Sequence, residues 1–167
     1  IAEIQGQNIP MVEETQVDLT ITAYIPGDYI VNTDEKISAY RSASQCKSKN
    51  DLMELAANWI DRYGTLPKPV ETLIEIMKLK IKAKHCGFTR IKTEKPNIVL
   101  ETFMDEPAFR LLRHGLPKHL HGRFIYKKEE KNCKVIVRGL SVLQNDQQIK
   151  QLCSWLDLMG SQISINN

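Results

Sequence analysis

No stretch of this chain approaches the ~18–20 consecutive apolar residues that a membrane-spanning helix needs, which excludes a helical span. Neither sign of charge dominates. Twenty-three Lys and Arg face 20 Asp and Glu, a formal net charge of +3. A dedicated nucleic-acid binder gathers a clearer excess on one face, so the charge neither demands nor excludes DNA. The four cysteines, Cys46, Cys86, Cys133 and Cys153, contain no C-x-x-C pair, which removes zinc ribbons and thioredoxin-like chemistry. No signal-peptide pattern precedes them, so the expectation is free thiols in a reducing, cytoplasmic setting. Seven Pro and eight Gly without a period exclude a collagen-like or low-complexity chain.

Catalytic signatures are missing as well. There is no G-x-x-x-x-G-K-[ST] to cradle a nucleotide phosphate and no G-x-G-x-x-G. Asp105-Glu106 is followed by Pro107-Ala108, which reads as acids favouring the positive end of a helix, not as a helicase box. His119 and His121, with His114 nearby, lie between Pro117 and Gly122 without a Cys or carboxylate close by, a poor metal set. Cys86 follows His85 directly, and helix neighbours point about 100° apart, so they do not form a nucleophile–base pair. The expectation is therefore no catalytic residue, no metal and no cofactor in this chain.

What remains is a set of ordinary elements. Val17–Ala23 alternates apolar and polar residues and predicts a strand with one buried face. Thr33 is placed to cap a helix carrying Ile37, Tyr40 and Ala43. A second helix starts near Ser48, with Asp51 completing a weak capping box, and stops at Gly64. Leu52, Leu55, Ala56, Trp59, Ile60 and Tyr63 form its core side, and Glu54, Ala57, Asn58 and Asp61 its outer side. The third helix, Val70 to Cys86, is apolar on two sides, with Ile76 in its second stripe, and predicts a buried central spine. Lys78, Lys80, Lys82 and Lys84 scatter around it, with Arg90, Lys92 and Lys95 beyond, and favour a solvated set over a phosphate-binding stripe.

Two hairpins follow, Thr89–Lys92 with Ile98–Thr102 and Arg123–Lys127 with Lys134–Arg138, separated by a helix from Glu106 to Leu116. Asp146 is placed to cap a last helix that stops at Gly160. The fold class expected is α+β, helices with small antiparallel hairpins around a buried central helix. Ile1 to Gly6 reads as the end of a helix, residues 1–16 as a linker, 17–160 as the domain and 161–167 as a polar tail. The chain opens on Ile, and the expectation is a piece of a longer polypeptide.

Val17-Asp-Leu-Thr-Ile-Thr-Ala-Tyr-Ile-Pro-Gly-Asp-Tyr-Ile30, Ala39-Tyr-Arg41 and, above all, Trp59-Ile-Asp-Arg-Tyr-Gly64 followed by Leu66-Pro-x-Pro-Val70 resemble the C-terminal domain of the bacterial transcription-repair coupling factors (Mfd). The likeness is dense from Val17 to about Arg90 and sparse afterwards. The resemblance implies a regulatory fragment of a large ATP-driven DNA translocase that displaces stalled RNA polymerase and recruits the DNA-repair protein UvrA. ATP and Mg belong to upstream modules of such a parent. It implies a domain that packs on a UvrB-like module of the same polypeptide, masks the UvrA-binding surface and restrains the motor; from its two-sided core helix and missing P-loop, the isolated domain is expected to be a monomer. The residues it points to as an intramolecular interface are Asp61 and Asn58, with Asn58 standing where the family usually has Glu and Glu54 as a substitute. The alternative expectation is an accessory nucleic-acid-binding module that helps grip DNA.

Overall fold

The computed structural model describes residues 2–4 and 7–165, with side chains described for residues 9–163. Two compact units divide the chain, one of Ile21–Ile81 and one of Ile1–Thr20 with Lys82–Asn167.

In the Ile21–Ile81 unit, helix α1 (Thr33–Gln45) is capped by Asn32, whose side chain accepts the Glu35 N–H at 3.0 Å. Thr33, the expected cap, is instead the first helical residue; Asn one position earlier has the extended backbone that a cap needs. Helix α2 runs Lys49–Tyr63 and helix α3 runs Lys68–His85, its last residues belonging to the other unit. The core of this unit is Ile25, Ile30, Ala39, Ala43, Trp59, Val70, Leu73 and Ile74, with Tyr29, Tyr40, Leu55, Ala56 and Tyr63 packed around it. The Tyr40 hydroxyl accepts the Ile25 N–H at 2.7 Å, which ties the segment before α1 to the helix and satisfies a backbone donor that carries no strand partner.

The other unit holds two sheets. Strands β1 (Ala2–Ile4), β2 (Gln7–Ile9) and β8 (Ser164–Ile165) make an antiparallel sheet with β1 in the middle. Strands β3 (Gln16–Asp18), β4 (Phe88–Glu94), β5 (Asn97–Thr102), β6 (Phe124–Lys128) and β7 (Cys133–Val137) form the larger sheet in the order β3-β4-β5-β7-β6. All neighbours are antiparallel except β3, which runs parallel to β4. Helices α4 (Glu106–Arg113) and α5 (Asn145–Gly160) complete the unit, with 3-10 turns at Lys118–Arg123 and Leu140–Val142. Phe88, Ile91, Leu100, Phe109, Phe124, Val135, Leu152 and Leu156 are fully buried. The buried Thr102 hydroxyl donates to Gly87 O at 2.8 Å and accepts the Met104 N–H at 3.1 Å, so the polar group costs nothing in lost hydrogen bonds. The architecture is α+β, with a mixed larger sheet.

Several local expectations are corrected. Ala2–Ile4 is a strand and not a helix end, while Gly6 lies outside the described residues. The stretch expected to be a linker carries β2 and buried Ile9, Val12 and Thr15; the Thr15 hydroxyl donates to Phe88 O at 2.7 Å. In the stretch expected to be a polar tail, Ser164–Ile165 pairs with β1, and residues 166–167 lie outside the described residues. The alternation from Val17 to Ile25 persists in burial, but the ladder stops at Asp18. β4 continues to Glu94, but past Asp18 the chain leaves the ladder, and Thr20 N donates to the Thr93 hydroxyl at 3.4 Å. Gln144, not Asp146, sits at the cap position of α5. Gly160 ends inside α5 as a packing residue: a Cβ there would lie 3.1 Å from the His85 ring. On α2, Ile60 is 49% exposed, and on α3, Ile76 is half-buried.

Candidate functional site: the outer face of the second helix

Helix α2 is held firmly at both ends. Ser48 Oγ accepts the Asp51 N–H at 3.1 Å, and Asp51 Oδ2 accepts the Lys47 N–H at 3.0 Å. The Lys47 N–H, with the Ser48 bonds, holds the Asp51 carboxyl below the ordinary carboxylate range. Gly64 closes the helix at φ 95, a conformation that L side chains avoid, and donates to Ile60 O at 2.9 Å. The Tyr29 hydroxyl lies 2.8 Å from Gly64 O and 3.2 Å from Trp59 O. Partial burial and then the nearby Tyr63 push the Tyr29 phenol above its usual range, keeping it a donor. Arg62 pairs with Glu35 of α1 at 3.6 Å, and the Tyr63 hydroxyl donates to Glu35 Oε2 at 3.3 Å.

These anchors orient the helix about its axis. At about 100° per residue, Leu55, Trp59, Leu52, Tyr63 and Ala56 cover an arc of about 100°. Ile60 and Met53 fall outside it, at about 80° and 100° from Leu52, and Asp61, Glu54 and Asn58 follow at about 180–240°. Burial matches this wheel. Leu52 and Trp59 are buried, Met53 is 56% exposed, and Glu54, Asn58 and Asp61 are exposed. The outer face is therefore two adjacent stripes, one apolar (Met53, Ala57, Ile60) and one polar-acidic (Glu54, Asn58, Asp61).

All three of the residues expected at an interface are thus brought together on one face. Among the described residues, no hydrogen bond or ion pair engages their side chains, and Arg62, a possible partner of Asp61, is occupied by Glu35. Sequence reasoning missed the apolar stripe, because it assigned Ile60 to the core. The signal was present in the wheel angle, but the width of a buried arc is set by neighbouring helices and not by the helix itself. The face offers carboxylates and methyl groups to solvent.

Elsewhere, the lysines of α3 and the following strands are largely engaged within the fold. Lys78 pairs with Glu75 at 3.1 Å, Lys82 with Asp157, Arg90 with Asp18 at 2.6 Å, and Lys92 with Glu94 at 3.3 Å. His121 Nε2 lies 2.8 Å from Leu116 O, so this ring is tied to the backbone. No group of three or more His, Cys, Asp or Glu among the described residues is placed to hold a metal ion. No helix among them is long and apolar enough to cross a membrane.

Comparison with known proteins places the chain in a family. Residues 19–109 match the TRCF domain. The transcription-repair-coupling factor of Escherichia coli (strain K12) is 30% identical over 89 residues, 53% of this chain and 8% of that protein. That of Staphylococcus haemolyticus (strain JCSC1435) is 25% identical over 148 residues, 89% of this chain and 12% of the relative. That of Staphylococcus aureus (strain USA300) is 35% identical over 81 residues. The chain thus spans only about a tenth of the length of these relatives. In fold it is similar to the crystal structure of a C-terminal domain of transcription-repair coupling factor, with TM-score 0.69 at 18% identity, covering 89% of this chain and 94% of the other. The family match takes in α1, α2, α3 and the first hairpin, more than half of the sequence, and the chain belongs to the TRCF domain family.

Proposed function

We propose that this chain is a C-terminal regulatory domain that docks through the outer face of α2 onto another module of its parent polypeptide. By the family resemblance, that module is UvrB-like, and docking masks its UvrA-binding surface and restrains an ATP-driven DNA translocase until RNA polymerase is engaged. The observation that carries the reading is the unpaired acidic stripe Glu54–Asn58–Asp61 beside exposed Met53 and Ile60, on a helix otherwise locked in place. Carboxylates without a partner among the described residues, bordered by apolar surface, suit a partly desolvated interface with a basic partner.

Asn58, where the resemblance implies a Glu, carries no charge and leaves Glu54 and Asp61 as the anions of this face. The test is Glu54→Lys with Asp61→Arg in the full-length parent. Losing a desolvated charge pair costs about 2–5 kcal/mol, enough to shift a modest docking equilibrium more than about tenfold. The expected outcome is a raised ATPase rate without polymerase and increased capture of UvrA. Wild-type values for both would remove this face from the docking role.

A further inference from the structure

A second candidate surface lies on the α4–β6 side of the larger sheet, remote in sequence from α2. Residues 107–128 carry six of the 23 Lys and Arg and three of the four His, and none of the 20 Asp and Glu. Their formal charge of +6 exceeds the +3 of the whole chain, so the remainder is net acidic. Lys118, Lys127 and Lys128 are exposed, and no ion pair among the described residues engages them.

The strand within this block is an open edge. Among the described residues, β6 is terminal in the sheet and is paired on one side only, to β7. Arg138 N donates to Arg123 O at 2.8 Å and Glu129 N to Asn132 O at 2.9 Å. With the antiparallel register Phe124↔Val137 to Lys128↔Cys133, these bonds set the odd-numbered residues of β6 toward β7. Phe124, Tyr126 and Lys128 therefore point their N–H and C=O groups away from it. Phe124 is served locally: its N–H donates to His121 O, and its carbonyl accepts from Arg113 Nη1 at 3.4 Å. Tyr126 and Lys128 remain as two unfilled rungs, and among the described residues no other backbone bond reaches them.

Beside the Tyr126 rung lies a cavity of about 210 Å³ lined by Glu106, Arg110 and Arg113 of α4, and by His121, Ile125 and Tyr126. The Arg113 guanidinium sits 5.9 Å from the Phe109 ring centre, and its buried Nε has no acceptor among the described residues. Arg110 is paired with Glu106 at 3.3 Å, but both side chains are more than half exposed, so this pair exchanges readily for another carboxylate. Ile125 is 41% exposed at the cavity rim.

We propose that the free edge of β6 takes an extended acidic peptide segment as an added strand, with one carboxylate seated between Arg110 and Arg113. Strand addition supplies affinity through main-chain bonds, and side-chain pockets supply specificity. Guanidinium groups are suited to receive a carboxylate in two parallel bonds. Charge decides the occupant. A second copy of this edge would bring Lys127 and Lys128 against their own kind, whereas an acidic strand meets complementary charge. A nucleic-acid backbone would answer the charge but leave the two rungs unfilled. This surface is independent of the α2 reading.

The probe is a fluorescein-labelled nonapeptide alternating glutamate and valine between threonine ends, titrated into the 167-residue chain at low salt. Binding is expected by anisotropy, with slowed hydrogen exchange at the Tyr126 and Lys128 amides. Arg110→Gln with Arg113→Gln should weaken it at least about tenfold. Glu106→Gln should strengthen it about two- to fivefold, the size of a surface ion pair. Lys128→Pro removes one outward N–H while sparing the β6–β7 ladder, and should weaken binding more than Lys128→Gln does. Failure of the peptide to bind, equal binding of a lysine-for-glutamate peptide, or unchanged exchange at both amides overturns the proposal. So does a short duplex oligonucleotide that binds through the same arginines while the peptide stays free.

Discussion

Trp59 and Ile60 are consecutive, yet they belong to different environments. Trp59 is 4% exposed within the α1–α2–α3 core, whereas Ile60 is 49% exposed. Trp59→Ala is expected to cost about 3–5 kcal/mol, as large core truncations do. Ile60→Ser is expected to stay within about 0.5 kcal/mol of wild type. Chemical denaturation of both variants checks the pair, and a reversed order would mean that α2 is rotated about its axis. Cys86 makes a separate case. Burial first, then Asp157, with Lys82 opposing, pushes its thiol from an ordinary 9.0 up to about 12. The folded state thus keeps a proton that the unfolded chain releases. The corresponding stability is complete below pH 9.0 and is lost as pH rises toward about 12. Cys86→Ala should flatten the decline over that window by up to about 1.4 kcal/mol per pH unit. Parallel wild-type and variant stability curves above pH 9 would contradict this burial.

At the level of elements, α2 owes its start to a short local device. Ser48 receives the Asp51 N–H, an orphan donor of the first turn, and Asp51 receives the Lys47 N–H just before the cap. Ser48→Ala should therefore cost about 1 kcal/mol, read as a lowered melting temperature with the fold retained. An unchanged melting temperature would show that tertiary packing alone defines this end. Such local devices explain what was legible in the sequence. The apolar period and the Ser48 and Gly64 signals placed α2 within one residue, and the polar face of its wheel gathered Glu54, Asn58 and Asp61. Both long hairpins were legible because their partners are close in sequence. β1, β2 and β8 were not, because each is two or three residues long and β8 finds β1 from the far end of the chain. The parallel pairing of Gln16–Asp18 with Arg90–Lys92 leaves no local trace either. The open edge of β6 was invisible for the same reason, since strand order is a property of the sheet.

For the whole molecule, the decisive question about the α2 face is whether its charges serve this fold or something outside it. Within the described residues, Glu54 and Asp61 contact no basic partner, so Glu54→Lys with Asp61→Arg removes no internal pair. Locally the change is mildly favourable. A lysine at 54 lies one turn from Asp51, and an arginine at 61 places a cation in the last turn, where the helix dipole prefers one. Two surface substitutions bound the effect at about 1 kcal/mol, which for a chain of this size is about 2–4 °C in melting temperature. The variant chain should therefore melt within that range of wild type while its formal charge rises from +3 to +7, two units for each reversal. Docking should behave differently. Supplied in trans to the upstream modules of the parent, the wild-type chain should bind, with affinity falling as salt is raised, because the attraction runs between partly exposed charges. The variant should bind at least about tenfold more weakly at low salt, and its residual affinity should depend less on salt. Calorimetry at two ionic strengths, beside thermal melts of both chains, separates the outcomes. A destabilised variant would show that the stripe has an internal structural task, and equal affinity with equal melting would show that this face meets no partner.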